Sequence, residues 1–270
     1  MDITRQEGQG VPFFACAHPA WAGAAHGFST RHGGISPAPM DGLNLAASRG
    51  DDPANVAENF RRFCRAVGAD PGALVKNHQV HSSIVRAVTR ADILPAPEAP
   101  GLFEGDGLVT DVPGVCLTIF SGDCIPVLLY DPVRRAVGAV HAGWRGTAAG
   151  AAAQAVKALV ERYGCQPENI LAAIGPGIGP CCFETHGDVP EGLWAGLGPE
   201  AEEFIRPLDT PDKFSVDLKR ANARWLERAG VLPERIALCQ ACTACDLDTF
   251  WSHRVQGEAR GSMAAVIQLV

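Results

Sequence analysis

The apolar positions of this chain gather into short runs between residues 108 and 140, LVTDV, VCLTIF, IPVLLY and AVGAV, parted by PG, SGD and DPVRR. Apolar runs of that length, bounded by turn-forming residues, predict strands, read here as members of one mixed sheet. ILAAI (170–174) adds a buried strand and AAVIQLV (264–270) a C-terminal one. LVKNHQVHSSIVRAV is rich in β-branched residues and predicts extended chain running through or near His81. Helical signals take over elsewhere. In DPANVAENFRRFCRAVG, Asp52 can cap the free amides, Pro53 suits the first turn and Gly68 can close the end. TAAGAAAQAVKALVERYG, from Thr147 to Gly164, reads as a helix on propensity, and DLKRANARWLERAG as an amphipathic one. FSTRHGGISPAPMDGLNL reads as strand followed by loop, and LPAPEAPG as a turn-rich loop rather than a domain boundary. No internal repeat or low-complexity tail is evident.

Composition narrows the classes. A chain of 270 residues can fill one large domain or two small ones, and one domain spanning 1–270 is the simpler reading. With 47% apolar and 20% charged residues, disorder is not expected. The net charge of -7 leaves no footprint for nucleic acid or an anionic membrane, so an anionic ligand has to be held locally. The start MDITRQEGQG lacks a charged-then-apolar leader, and no stretch approaches the roughly 18 apolar residues of a spanning helix, so a cytoplasmic protein is expected. Ten cysteines at uneven spacing then read as reduced thiols, with Cys16, Cys64, Cys116 and Cys165 as small buried hydrophobes.

Three stretches carry candidate chemistry. In VHAGWRGTAAG a strand delivers His141 to its C-terminal end, just ahead of a helix whose free amides and Arg145 could receive a phosphate or a sugar hydroxyl. The plainer alternative pairs Arg145 with a carboxylate and puts Trp144 in the core. SGDCIPVLLY places Cys124 after a tight turn, and NHQVHSS contributes His81. Two imidazoles and a thiolate suit Zn(II), and three protein ligands leave one coordination position open. Yet 43 residues separate His81 from Cys124, and 17 separate Cys124 from His141, which is no short metal motif. A core cysteine with incidental histidines remains the competing reading. GPGIGPCCFE lacks GxGxxG spacing and is interrupted by prolines, so it reads as a backbone turn and not a dinucleotide loop.

Taken in order, FSTRHGGIS, NLA...GDD, QVHS, DGLVTD, SGDCIPVLL, VGAVHAGWRGTAAG, IGPGIGPCCFE and CTAC...FWSHR resemble the YfiH-type family over roughly residues 26 to 269. HAGWRG and SGDC are the most specific pieces. Members are described variously as laccase-domain proteins, peptidoglycan editing factors and purine nucleoside phosphorylases. The resemblance implies a single α+β domain of mixed sheets flanked by helices. It also implies catalytic zinc on His81, Cys124 and His141. The implied reactions are phosphorolysis of adenosine, inosine, guanosine and S-methyl-5'-thioadenosine, and hydrolytic deamination of adenosine, so that purine nucleosides and phosphate would be the partners. Within that frame Asp123, beside Cys124, is expected as an acid/base residue, and Arg31 and Arg145 as phosphate or ribose contacts. Asp123 reads equally as a turn residue, and Arg31 as an ion-pair residue.

Two features depart from the pattern. The family often carries a tyrosine and paired arginines in its C-terminal segment, where this chain has FWSHRVQG and RGSM. Cys239, Cys242 and Cys245 form a C-x2-C-x2-C run, with Cys181 and Cys182 elsewhere; lacking a complete four-ligand spacing, all five are read as unpaired structural thiols rather than a second zinc or iron–sulfur site. Eight histidines with no H-x-H pair argue against a multicopper laccase. The stronger rival is a cysteine hydrolase, or a peptidoglycan-precursor editing enzyme, with Cys124 as nucleophile and His141 or His81 as base. A zinc-stabilised binding module without turnover is the third reading.

Overall fold

In the strand Ile125–Asp131, alternate side chains go to opposite sides. Ile125, Val127 and Leu129 join one apolar cluster, while Leu128 and Tyr130 join another. That two-residue alternation, with both faces buried, is why the sequence shows unbroken apolar runs there instead of a half-polar pattern. The computed structural model describes all 270 residues and shows an α+β fold of mixed sheets flanked by helices.

One six-stranded sheet runs in the order Ile3–Gly8, Val11–Cys16, Ala24–Ser29, Met263–Leu269, Cys116–Ser121, Leu74–Val75. The other runs Ile236–Leu238, Leu171–Ile174, Ile125–Asp131, Ala136–Ala142, Gly107–Thr110, Val85–Ala87. The central pairings are antiparallel, and in the second sheet both edge strands are parallel to their neighbours. The sheets face each other across a cluster including Phe28, Leu117, Ile119 and Ile267 from the first and Leu128, Tyr130, Val137 and Ala139 from the second. Helix Pro53–Val67 covers the outer face of the first sheet. Helices Ala151–Tyr163, Asp188–Leu197 and Leu218–Arg228 cover that of the second. A small sheet of Glu184–Thr185, Phe214–Val216 and Ile205–Pro207 completes the fold. No helix is long and apolar enough to cross a membrane.

The Asp52 cap, which accepts from the Ala54 amide, and the left-handed Gly68 bound the first helix as its sequence predicts. Three expectations are corrected. The strands expected in one sheet divide between two, because Cys116–Ser121 pairs with Met263–Leu269 and not with its sequence neighbours. The helix expected without interruption from Thr147 breaks at Gly150 (φ 70°), giving Trp144–Ala148 and Ala151–Tyr163. Gly150 sits against the Trp225 ring, and only glycine takes that backbone angle readily. His81 does not lie in a strand: its φ is 59°, in the irregular stretch between Leu74–Val75 and Val85–Ala87.

Candidate metal centre and active site

Two turns and one strand bring the three distant residues together. His141 is the penultimate residue of Ala136–Ala142, and Cys124 immediately precedes its antiparallel neighbour Ile125–Asp131. His81 arrives from the irregular loop. One ligand atom of each lies within 4.8 Å of the others, and the His81 and His141 rings meet edge to face with centroids 4.9 Å apart. His141 is buried, Cys124 half-buried and His81 exposed, so the trio opens to solvent on one side.

Asp106, which sequence reasoning did not single out, holds two of the three. Its carboxylate accepts from the backbone amides of Val80, His81 and Ser82 at 3.2, 3.1 and 2.6 Å and from Ser82 Oγ at 2.7 Å. Consecutive amides converging on an anion in this way form a nest, and here the nest fixes the left-handed backbone at His81. His141 Nδ1 donates to Asp106 Oδ1 at 2.8 Å, which fixes the tautomer and leaves Nε2 free. Burial pushes the Asp106 carboxyl up, but the bonds from His141 and Ser82 outweigh it and bring it down to about 2. The only prior signal was the first aspartate of DGLVTD.

Burial also pushes the Cys124 thiol up, yet the charge and hydrogen bonds of His141, with those of His81, draw it down to about 6. His141 itself, lowered by burial, is raised to about 9 by the Cys124 charge and the Asp106 bond. Gly143 is part of the arrangement, because a methyl group there would lie 2.6 Å from His81 Nδ1 and 3.1 Å from Cys124 Sγ. This donor set of two imidazole nitrogens and one sulfur fits a zinc ion. The neighbouring imidazoles favour the thiolate form of Cys124, the Asp106 carboxylate backs His141 through Nδ1 and turns Nε2 to the group, and no fourth histidine, cysteine or carboxylate joins it. Of the eight histidines, only these two share a metal-ligating cluster.

The trio lines a cavity of about 350 Å³ together with Gln79, Phe120, Ser121, Gly122, Ser262, His253, Glu258, Arg49 and Arg260. Arg260 is buried, its Nε has no partner, and its guanidinium packs directly on Gly122, where any side chain would collide with it. Burial and then repulsion from Arg49 draw its pKa below the ordinary value. Two arginines here make the cavity receptive to an anion, although Arg49 also pairs with Glu258. Sequence reasoning missed both, since neither stands beside a ligand in the chain.

The other expected site residues lie elsewhere. Asp123 (φ 89°) is in the turn before Cys124, but its carboxylate accepts from Thr243 Oγ1 at 2.6 Å, Ser252 Oγ at 3.0 Å and the Arg254 amide at 2.6 Å. It does not line the cavity. Those bonds hold a backbone conformation that costs a non-glycine residue about 1–3 kcal/mol, and so aim Cys124. Arg31 stacks over Trp251 at 3.7 Å, donates to Leu247 O and Asp41, and lines a separate hollow with His32 and Asp248. Arg145 is exposed and lies 4.2 Å over the half-buried Trp144 ring, following a helix start that belongs to a five-residue element.

The five remaining thiols are not all alike. Cys239 is buried by itself, its carbonyl accepting from Lys219 Nζ, whereas Cys181, Cys182, Cys242 and Cys245 bring their sulfurs within 4.8 Å of one another. The departing segment FWSHRVQG buries Phe250 and Trp251, supplies two of the Asp123 bonds and sends His253 to the cavity.

A family model described as "Multi-copper polyphenol oxidoreductase laccase" matches residues 25–270. The protein named purine nucleoside phosphorylase YlmD from Geobacillus stearothermophilus is 37% identical over 271 residues, covering 98% of this chain and 97% of its own. A crystal structure of YlmD from Geobacillus stearothermophilus superposes with a TM-score of 0.91 at 36% identity, covering 100% of this chain and 99% of that one. Mouse purine nucleoside phosphorylase LACC1 is 35% identical over 251 residues, 90% of this chain; the match spans 55% of the mouse protein's length. With that profile and those relatives on one fold, the chain belongs to the YfiH-type laccase-domain family.

Proposed function

We propose that this chain is a zinc-dependent purine nucleoside enzyme. Its reactions are phosphorolysis of adenosine, inosine, guanosine and S-methyl-5'-thioadenosine, and hydrolytic deamination of adenosine. The observation that carries this reading is the meeting of His81, Cys124 and His141 in an arginine-bearing cavity large enough for a small ligand. The names of the relatives support the phosphorolytic half. Bound by the trio, zinc supplies a Lewis acid at the cavity wall.

The chain's own residues do the rest. Asp106 orients His141 and the His81 loop, so the ligand geometry is set before metal arrives. Arg49 and Arg260 hold the phosphate, in preference to Arg31 and Arg145, because they line the cavity and the others do not. Asp123 acts through the turn that presents Cys124, and not as the acid/base group, because both its oxygens are engaged away from the cavity.

Metal-quantified protein incubated with adenosine and inosine, with and without phosphate, tests the proposal. Free base plus ribose 1-phosphate is expected from both nucleosides only when phosphate is present, and inosine from adenosine in its absence. Neither product from zinc-replete protein would contradict it. One observation favours a second reading, a cysteine hydrolase acting on a peptide or peptidoglycan precursor: the Cys124 sulfur lies beside the His141 and His81 imidazoles, which lower its pKa. Chelation separates the two. It abolishes a zinc reaction and spares a thiol nucleophile, whereas a covalent substrate adduct on Cys124 in chelated, active protein would favour the hydrolase.

A further inference from the structure

We propose that Cys181, Cys182, Cys242 and Cys245 bind a second zinc ion as a closed four-thiolate site that fastens the C-terminal loop to the turn following Leu171–Ile174. All four sulfurs lie within 4.8 Å of one another, and Cys245 Sγ is 3.4 Å from Cys181 Sγ and 3.3 Å from Cys182 Sγ. Four sulfurs at about 2.3 Å from one tetrahedral ion stand about 3.8 Å apart, so the cluster has the dimensions of a single-ion cage. Iron–sulfur clusters spread their cysteines more widely. A disulfide needs sulfurs at about 2.05 Å and takes them in pairs, whereas here one sulfur sits nearly equidistant from two others and all four are free thiols.

Backbone donors converge on one of the four sulfurs. The Gly179 amide donates to Cys242 Sγ at 3.1 Å, and the amides of Cys245 and Ala244 also face that sulfur. A side chain on Gly179 would press on Cys181 Sγ at 3.2 Å and Cys242 Cβ at 3.3 Å, so the turn has room for sulfurs and little else. Cys181 and Cys245 are exposed, which gives an ion a way in.

The position explains what the ion does. Gly177 pairs with Cys242 in an isolated bridge, the Thr243 amide donates to Gly177 O at 3.3 Å, and Arg254 donates to the carbonyls of Cys182 and Glu184. Thr243 and Arg254 are also two of the three residues that hold the Asp123 carboxylate. The four-thiolate ion thus braces the clamp that aims Cys124 while keeping no open coordination position of its own, as structural zinc sites do.

Elemental analysis of the full chain, purified under reducing conditions, tests this. Wild-type protein is expected to carry about two zinc ions per chain, His81→Ala about one, and Cys182→Ser/Cys245→Ser about one. Cobalt substitution of His81→Ala should give the sulfur-to-metal charge-transfer intensity of four thiolates. If the serine variant does not fold, wild-type protein titrated with a thiol reagent should release its second zinc equivalent as four thiols react. Wild-type zinc content in the folded serine variant would overturn the proposal. So would a zinc-free His81→Ala protein, iron in the cage, or recovery of the four cysteines as two disulfides from reducing buffer.

Discussion

The chain gathers metal-ligating side chains in two places and builds them in opposite ways. The His81, Cys124 and His141 trio mixes nitrogen and sulfur, faces a cavity and leans on a buried carboxylate. The four-cysteine cluster offers sulfur alone, stands between two turns and leans on backbone amides. Three ligands beside a cavity leave space for a reacting molecule, while four sulfurs around one point leave none. On the proposed roles, ligand number and the surrounding space, more than the count of cysteines and histidines, would separate a site for chemistry from a brace.

The sharpest break in that comparison comes from ligand removal. His81→Ala or Cys124→Ser should reduce nucleoside turnover by more than the roughly 10–100-fold typical of outer-shell changes. Cys182→Ser/Cys245→Ser should instead lower Tm first and activity less. Steady-state kinetics beside thermal unfolding of the same preparations measures both, and equal losses of turnover would erase the distinction. Next in size is Asp106→Asn, which keeps the shape but removes the charge that the Val80, His81 and Ser82 amides and His141 address. It should weaken zinc affinity about 10–100-fold, as read by competition with a metallochromic chelator; unchanged affinity would remove Asp106 from the account.

Arg260→Ala should raise KM for phosphate about tenfold, as expected for a lost charge-assisted contact, with deamination of adenosine nearly unchanged. An equal effect on both reactions would place Arg260 in the fold and not in anion recognition. Asp123→Asn is expected to have the smallest effect on chemistry. Losing charge-assisted bonds to a buried group costs about 1–3 kcal/mol, so Tm should fall by several degrees while the pH–rate profile keeps its shape. A displaced limb of that profile would restore the acid/base role for Asp123.

The two clusters also differ in how far the sequence discloses them. QVHS, SGDC and HAGWRG identify His81, Cys124 and His141 through resemblance, but no spacing rule joins them, because strand pairing sets Cys124 beside His141 and a loop held by Asp106 adds His81. Asp106 was hidden for a related reason: its partners include three consecutive amides of a loop that turns through a left-handed residue at His81, which no residue pattern announces. For the thiols, the C-x2-C-x2-C run draws attention to Cys239, which the fold buries alone, and the true companions of Cys242 and Cys245 come from a turn far earlier in the chain. Caps were legible where they are local, as at Asp52 and Gly68, whereas the division of strands between two sheets was not, since apolar runs buried on both faces look alike whichever sheet receives them.

Anomalous diffraction at the zinc edge, on crystals grown from protein with measured nucleoside turnover, tests the central claim most directly. The account predicts a peak about 2.3 Å from Cys124 Sγ and about 2.0–2.1 Å from one nitrogen each of His81 and His141. Active crystals with no anomalous density between those three side chains would contradict it.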